Sequence, residues 1–266
     1  MEKLSEVEIS RAIVDTFLGG LLDNLEVDVA VAGGGPAGLI AARELALMGH
    51  KVAVFDRKLS TGGGMWGGGM GYNVIVVQDE GKKILEELGV AMREYSPGYF
   101  VAGSVESIST LISEACKAGV SIYNLFSVED VMVDKGRICG VVVTSSPIEI
   151  ADLHVDPICI SAKYVIEATG HPLEVLRKVV EKTDLVLNTP SGGIEGERSM
   201  NADMGERALA ENTIEIVDGM FVTGMAANAA MGSHRMGPVF GGMLLSGRLA
   251  AERIHRKLSD FPEAAL

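Results

Sequence analysis

The sequence is short of cysteine, has no basic excess and contains no long apolar run. Cysteine occurs three times in 266 residues, at Cys116, Cys139 and Cys159. The count is odd and no CxxC pair is present, which argues against a disulfide framework or a cysteine-built zinc site. Each cysteine stands among apolar neighbours, so all three are expected as buried, reduced thiols. Lysine and arginine total 23 against 36 acids, a net charge of −13 at pH 7. That balance disfavours sequence-independent binding to nucleic acid or to an anionic membrane, both of which need a basic surface. It leaves room for an anion held locally by backbone amides. The longest uncharged stretch, Ser60–Gln78, holds seven glycines and reads as loop plus strand, not as a membrane span. The first residues, Met1-Glu2-Lys3-Leu4-Ser5-Glu6, have neither the basic nor the apolar region of a secretory signal, so a cytoplasmic location is expected. No internal repeat and no clean linker is visible, and residues 1–266 read as a single domain.

What the chain does have is clustered glycine, 33 in all. Clusters mark places where backbone turns sharply or comes close to a ligand. Ile9, Ile13, Val14, Phe17, Leu18 and Leu21 recur at helical spacing and predict an N-terminal amphipathic helix over 5–22. Val27–Ala32 predicts a short buried strand, Pro36–Met48 a helix ended by Gly49, and Lys51–Phe55 a second strand that runs into Asp56. This is a βαβ unit with parallel strands. Further helices are expected over Asp79–Leu88, Ser104–Ala118 and Gly237–Leu258. Strands are expected over Val120–Phe126, Val128–Val133, Arg137–Val143, Lys163–Ala168 and, with a turn at Asp218-Gly219, Ile216–Gly224; irregular chain is expected over Ser145–Asp156 and a surface loop over 190–207. The fold class is α/β: a Rossmann-like dinucleotide-binding fold of flavoprotein type, in three layers, with an inserted β-sheet.

Five motifs carry chemistry. Gly33-Gly34-Gly35-Pro36-Ala37-Gly38 is a GxGxxG between strand and helix: Gly33 allows the turn, Gly35 lets backbone approach a pyrophosphate, and Gly38 allows close helix–strand packing. Asp56, ending the next strand, is placed to accept from adenosine ribose hydroxyls. Gly62-Gly63-Gly64 and Gly67-Gly68-Gly69 flank Met65-Trp66, a pattern of a loop that hugs a ligand more than of a linker. Tyr164–Gly170 (YVIEATG) resembles the strand-then-ATG signature of flavoproteins with two dinucleotide-binding domains. In those proteins a later strand ends Gly-Asp, and the aspartate contacts the flavin side chain. Here it ends Gly224-Met225, which argues against FAD. His154, Asp156 and His171 offer mixed N/O donors suited to Fe(II), although spacing alone favours three ordinary polar residues over a metal site. Arg235, within Gly232–Pro238 (GSHRMGP), could clamp a carboxylate or make a surface ion pair.

Taken together, these residues resemble one family over nearly the whole chain: the thiamine thiazole synthases in their archaeal form. The most specific pieces are GGGMWGGGM, ADLHVDP, EATGH and RMGPVFGGMLLSG. The resemblance implies that NAD is bound and consumed as a substrate: nicotinamide leaves, glycine condenses, sulfur is added, and an ADP-linked thiazole carboxylate results. In fungal and plant relatives a cysteine within the ADLHVDP-like segment gives up its own sulfur. This sequence has His154 there, which implies an enzyme that uses free sulfide with Fe(II) and turns over many times. The resemblance also implies that Asp156 and His171 are iron ligands from neighbouring subunits. Gly33, Gly35, Ala37, Gly38, Asp56, Arg57, Gly64, Val128, His154, Val155, Asp156 and Met225 would line the NAD-derived ligand. His154, Asp156 and His171 would be catalytic, and Arg235 would grip the glycine carboxylate. A homo-oligomer, an octamer, with sites shared between subunits is implied. Two rival readings are an isomerase of ribose 1,5-bisphosphate, which would need no iron, and a non-catalytic dinucleotide sensor, which would leave NAD intact.

Overall fold

The structure is a computed structural model that describes residues 3–260; the outermost residues of the expected 1–266 domain lie outside the described residues. Helix α1 (Glu6–Asp23) starts on the Ser5 side chain, which accepts from the Glu8 N–H. Strand β1 (Glu26–Ala32), helix α2 (Pro36–Leu47) and strand β2 (Val52–Asp56) form the expected βαβ unit, with β1 and β2 parallel. Beyond a 3-10 turn at Gly63–Gly67 come β3 (Val74–Val77), α3 (Asp79–Glu87), β4 (Met92–Ser96), β5 (Tyr99–Gly103) and α4 (Ser104–Lys117). Then follow β6 (Ser121–Asn124), β7 (Phe126–Asp134), β8 (Arg137–Ser145), α5 (Ser146–Ile150) and β9 (Ile158–Glu167). The chain continues through α6 (Glu174–Lys182), α7 (Ala202–Asn212), β10 (Glu215–Val217), β11 (Met220–Val222), α8 (Met225–Ala230) and α9 (Gly241–Ser259).

The main sheet runs β10-β11-β9-β1-β2-β6. Strands β11, β9, β1, β2 and β6 are mutually parallel. The long β9 serves two neighbours on one edge: its first residues pair antiparallel with β8, and its last pair with β11. Strand alternation then splits the core in two. Val29, Val31, Val52, Val54 and Ile166 face one side and pack with α2, α4 and α9 through Leu39, Ile40, Ile108, Leu111 and Leu244. Ala30, Ala32, Phe55 and Val165 face the other and pack with β8 and α6 through Ile138, Val141, Val143, Val175 and Leu176. The result is the expected three-layer α/β arrangement.

Several local expectations are corrected. The strands expected over 120–143 belong to the main sheet, and a separate three-stranded sheet, β3-β5-β4, forms from residues 74–103. The turn expected at Asp218-Gly219 is present and divides the segment into the hairpin β10–β11: Gly219 takes φ +85, where a Cβ would lie 2.1 Å from the Ile138 carbonyl oxygen. The last helix starts at Gly241 instead of Gly237, because Val239 bridges to Val76 and Phe240 N–H donates to Val76 O. Part of the expected 190–207 loop is α7, capped by the Asn201 side chain. Cys116 and Cys159 are exposed and Cys139 is half-buried, against the expectation of buried thiols, because the first two fall on outward faces of α4 and β9. Among the described residues no helix is long and apolar enough to cross a membrane.

Candidate functional site

One cavity of about 1080 Å³ lies where β1, β2, β9 and β11 end. This is the edge at which open parallel sheets bind ligands. Its volume is just above the ~300–1,000 Å³ typical of small-molecule sites. Gly33, Gly35, Ala37, Asp56, Arg57, Gly64, Val128, His171, Met225 and Arg235 all line it.

The glycine turn divides its tasks as expected. Gly33 sits at φ +98, its N–H donating to Phe55 O at 2.8 Å. A Cβ on Gly38 would stand 2.2 Å from Gly33 O and 3.2 Å from the Ala168 Cβ. Gly38 is thus a packing residue under the turn; against the expectation that it would line the ligand, it does not line the cavity, because Gly33 and Ala168 cover it. Gly35 is the opposite case: φ is −74 and a Cβ would meet nothing within 4 Å. Nothing in the protein requires glycine there; the open space faces the cavity. No side chain caps the first turn of α2, so its N-terminal amides and dipole are left to the cavity, an arrangement suited to an anion.

At the end of β2, Asp56 is 6% exposed. Its two oxygens accept from Gly34 N–H at 3.2 Å and Lys58 N–H at 2.9 Å. Burial pushes its pKa up, while those two N–H groups pull it down. Each oxygen keeps a lone pair for a sugar hydroxyl. Arg57 is paired with Glu174, Nη1 to Oε1 at 2.7 Å. The glycine-triplet loop is ordered: the Trp66 Nε1–H donates to Thr61 O at 2.8 Å, Met65 is fully buried, and Gly63, Gly64 and Gly68 face the cavity.

The other side of the cavity is built by β9 and the loops near α7 and α8. Glu167, fully buried at the end of β9, accepts from the N–H groups of Thr169, Val175 and Leu176 at 2.8–2.9 Å. Its carboxylate thereby caps α6 and fixes the Thr169-Gly170-His171 turn; burial raises its pKa against those donors. His171 Nδ1 lies 2.7 Å from Glu197 Oε1. Such a carboxylate orients an imidazole and leaves Nε2 as the nitrogen it does not engage. Met225 takes the place of the flavoprotein aspartate, is nearly buried and lines the cavity. The loop of exposed Arg235 is held from behind by fully buried Asn228, whose carboxamide donates to Gly205 O at 2.9 Å and His234 O at 3.3 Å. Glu167, Glu174, Glu197 and Asn228 were not singled out by sequence reasoning. Glu174, Glu197 and Asn228 take their roles from partners remote in sequence, whereas Glu167 sits inside a recognised motif and bonds residues two to nine positions on.

His154, Val155 and Asp156 do not join this cavity in their own chain. They lie on the exposed segment between α5 and β9, beside the exposed apolar side chains of Ile150 and Leu153. Among the described residues, no group of three or more His, Cys, Asp or Glu side chains within the chain could hold a metal.

The Thi4 family profile matches residues 10–240. The chain belongs to the Thi4 family. It is 56% identical over 256 residues to the thiamine thiazole synthase of Methanothermobacter thermautotrophicus, covering 96% of this chain and 99% of that one. The thiamine thiazole synthase of Pyrococcus horikoshii is 50% identical over 257 residues, covering 97% and 100%. The crystal structure of Thermovibrio ammonificans THI4 superposes with a TM-score of 0.94 at 47% identity, covering 97% of this chain and all of that chain. The anhydrotetracycline hydroxylase OxyS of Streptomyces rimosus matches at TM-score 0.56 and 14% identity over 88% of this chain and 63% of its own, a likeness of fold alone.

Proposed function

We propose that this chain is a thiamine thiazole synthase that converts NAD, glycine and free sulfide into an ADP-linked thiazole carboxylate, with Fe(II), over many turnovers. The observation that carries the reading is one cavity that joins the Gly35–Asp56 pole to His171 and Arg235. That is the span a dinucleotide and a small amino acid need.

The α2 amides and the open space at Gly35 would take the pyrophosphate, and Asp56 the adenosine ribose hydroxyls. Val128 and Met225 would supply apolar walls. The Arg235 guanidinium would hold the glycine carboxylate as a bidentate pair, turning its amino group toward the opened ribose. Loss of nicotinamide, condensation with glycine, sulfur addition and loss of water would follow.

The residues fit Fe(II) only across two copies. One chain offers His171, oriented by Glu197, and an Asp156 that lies on an exposed segment. A neighbouring copy's Asp156 would complete the pair, a donor set that leaves positions open. When bound, the ion would supply Lewis acidity beside the reacting carbon and a place for hydrosulfide. His154 would move protons during enolisation and dehydration. The exposed apolar face of α1 (Ile13, Val14, Leu18 and Leu22) and the exposed Ile150, Leu153 and Val155 support assembly with other copies, an octamer in our reading. An acidic surface and a dinucleotide cavity support a cytoplasmic enzyme with no nucleic-acid or membrane partner.

His154 tests the sulfur source. His154→Cys is expected to gain one sulfide-independent turnover per chain, read as adenylated thiazole by mass spectrometry together with loss of the cysteine sulfur. A variant that makes product only with added sulfide and keeps its sulfur would contradict the placement of residue 154 at the sulfur-delivery position.

A further inference from the structure

In βαβ dinucleotide folds, an acid at the end of the second strand takes the ribose hydroxyls, whereas a nearby arginine accommodates a 2′-phosphate. This chain carries both in succession, Asp56 and Arg57. The sequence alone therefore does not say whether a phosphorylated ribose is accepted.

The structure gives Arg57 a partner. Its Nη1 lies 2.7 Å from Glu174 Oε1, with the arginine side chain 50% and the glutamate 31% exposed. Glu174 is itself fixed: it is the first residue of α6, and its N–H donates to the Thr169 hydroxyl at 2.9 Å. Arg57 and Glu174 line the main cavity and also the groove of about 730 Å³ that continues from it, where Glu149 stands as well. Lys58 is a further cation and Asp56 and Glu149 are further acids that act on Glu174, and the groove beyond is lined by Arg177, Lys178 and Lys182 together with Glu129 and Glu181. Burial pushes the Glu174 pKa up and Arg57 pulls it down, so the pair sustains the charge of a half-buried carboxylate. A phosphate monoester brings a charge of about −1.5 to −2 at neutral pH. At this end of the cavity it would meet the carboxylates of Asp56 and Glu174. To recruit Arg57 it would have to break the ion pair and leave Glu174 unpaired, a loss that disfavours binding.

We propose that the Arg57–Glu174 ion pair makes the cavity selective for a dinucleotide with a free adenosine 2′-hydroxyl, by withholding Arg57 from a 2′-phosphate and setting a second carboxylate beside it. This rests on the dinucleotide reading above and adds a specificity-determining residue, Glu174, to it.

The test is calorimetric titration of the full-length protein with ADP-ribose and with its 2′-phosphorylated form. The native protein is expected to prefer ADP-ribose by about 100-fold or more. Glu174→Gln is expected to cut that preference by about tenfold, close to 1.4 kcal/mol, through tighter binding of the phosphorylated ligand. Glu174→Ser, a residue well suited to a helix start, gives the same shift without the glutamine side chain. Adding Arg57→Leu to either variant removes the gain, because the released arginine is what binds the phosphate. A preference unchanged in both folded Glu174 variants, or equal binding of the two ligands by the native protein, would overturn the proposal. If the native protein bound neither ligand, the dinucleotide reading itself would fail and this inference with it.

Discussion

Alanine at either Asp156 or His171 abolishes thiazole formation, and mixing the two inactive proteins under subunit exchange restores part of it. The expected loss in each single variant is at least about a thousandfold, because each removes a donor from a site with few of them. Recovery follows from where the two side chains sit. His171 stands at the cavity, held by Glu197 at 2.7 Å. Asp156 lies on an exposed segment that does not line the cavity of its own chain. If each site combines His171 of one copy with Asp156 of the next, random exchange at equal amounts leaves about one site in four with both residues intact, an arithmetic that follows from closed symmetry. Activity of the mixture near a quarter of native is the expected reading. A mixture as inactive as its components, in oligomers shown to have exchanged, would mean that the two residues act within one chain or not together.

The second large effect separates ligand binding from folding at two glycines three residues apart. Gly35→Ala leaves thermal stability nearly unchanged, within about 0.5 kcal/mol, because φ is −74 and a Cβ meets nothing within 4 Å. The added methyl instead occupies the space through which the turn meets a pyrophosphate. NAD affinity is expected to fall by about 100-fold, on the order of 3 kcal/mol. Gly38→Ala does the reverse. Its Cβ would lie 2.2 Å from Gly33 O, with Ala168 and Val31 behind, so α2 must move off β1. Destabilisation of about 3 kcal/mol is expected, in the range of forced overpacking. Calorimetric unfolding and NAD titration of both variants check this. Equal NAD affinity in Gly35→Ala and native protein would remove the pyrophosphate from this turn.

The part of the fold that was legible in the sequence is the part whose signals are local. The apolar run of β1, the GxGxxG turn, the periodicity of α2 and the acid ending β2 sit within one short stretch, and the structure reproduces them. Strand β4 was not legible: Met92–Ser96 is largely exposed and is held by pairing with β5, so its side chains show no buried alternation. Helix α6 carries Val175, Leu176 and Val179 at helical spacing, but its start lacks a usual capping residue. Leu173 there takes a left-handed conformation at φ 53, and the cap comes from Glu167, reaching from the end of β9. The site divides the same way. Asp56 and the glycines announce themselves by position, whereas Glu197 meets His171 across 26 residues of chain with no pattern to mark it. The exposed cysteines show the limit from the other direction. Apolar neighbours in sequence do not fix which face of a helix or strand a residue takes.

The most direct test of the account is an anaerobic incubation of the pure protein with NAD, glycine and Fe(II), with and without sulfide, followed by mass spectrometry. The account predicts an adenylated thiazole carboxylate in excess over protein chains, formed only when sulfide is present. NAD left intact under every condition would contradict it. So would product formed without sulfide and capped at one per chain, which would move the sulfur source from solution to Cys116, Cys139 or Cys159.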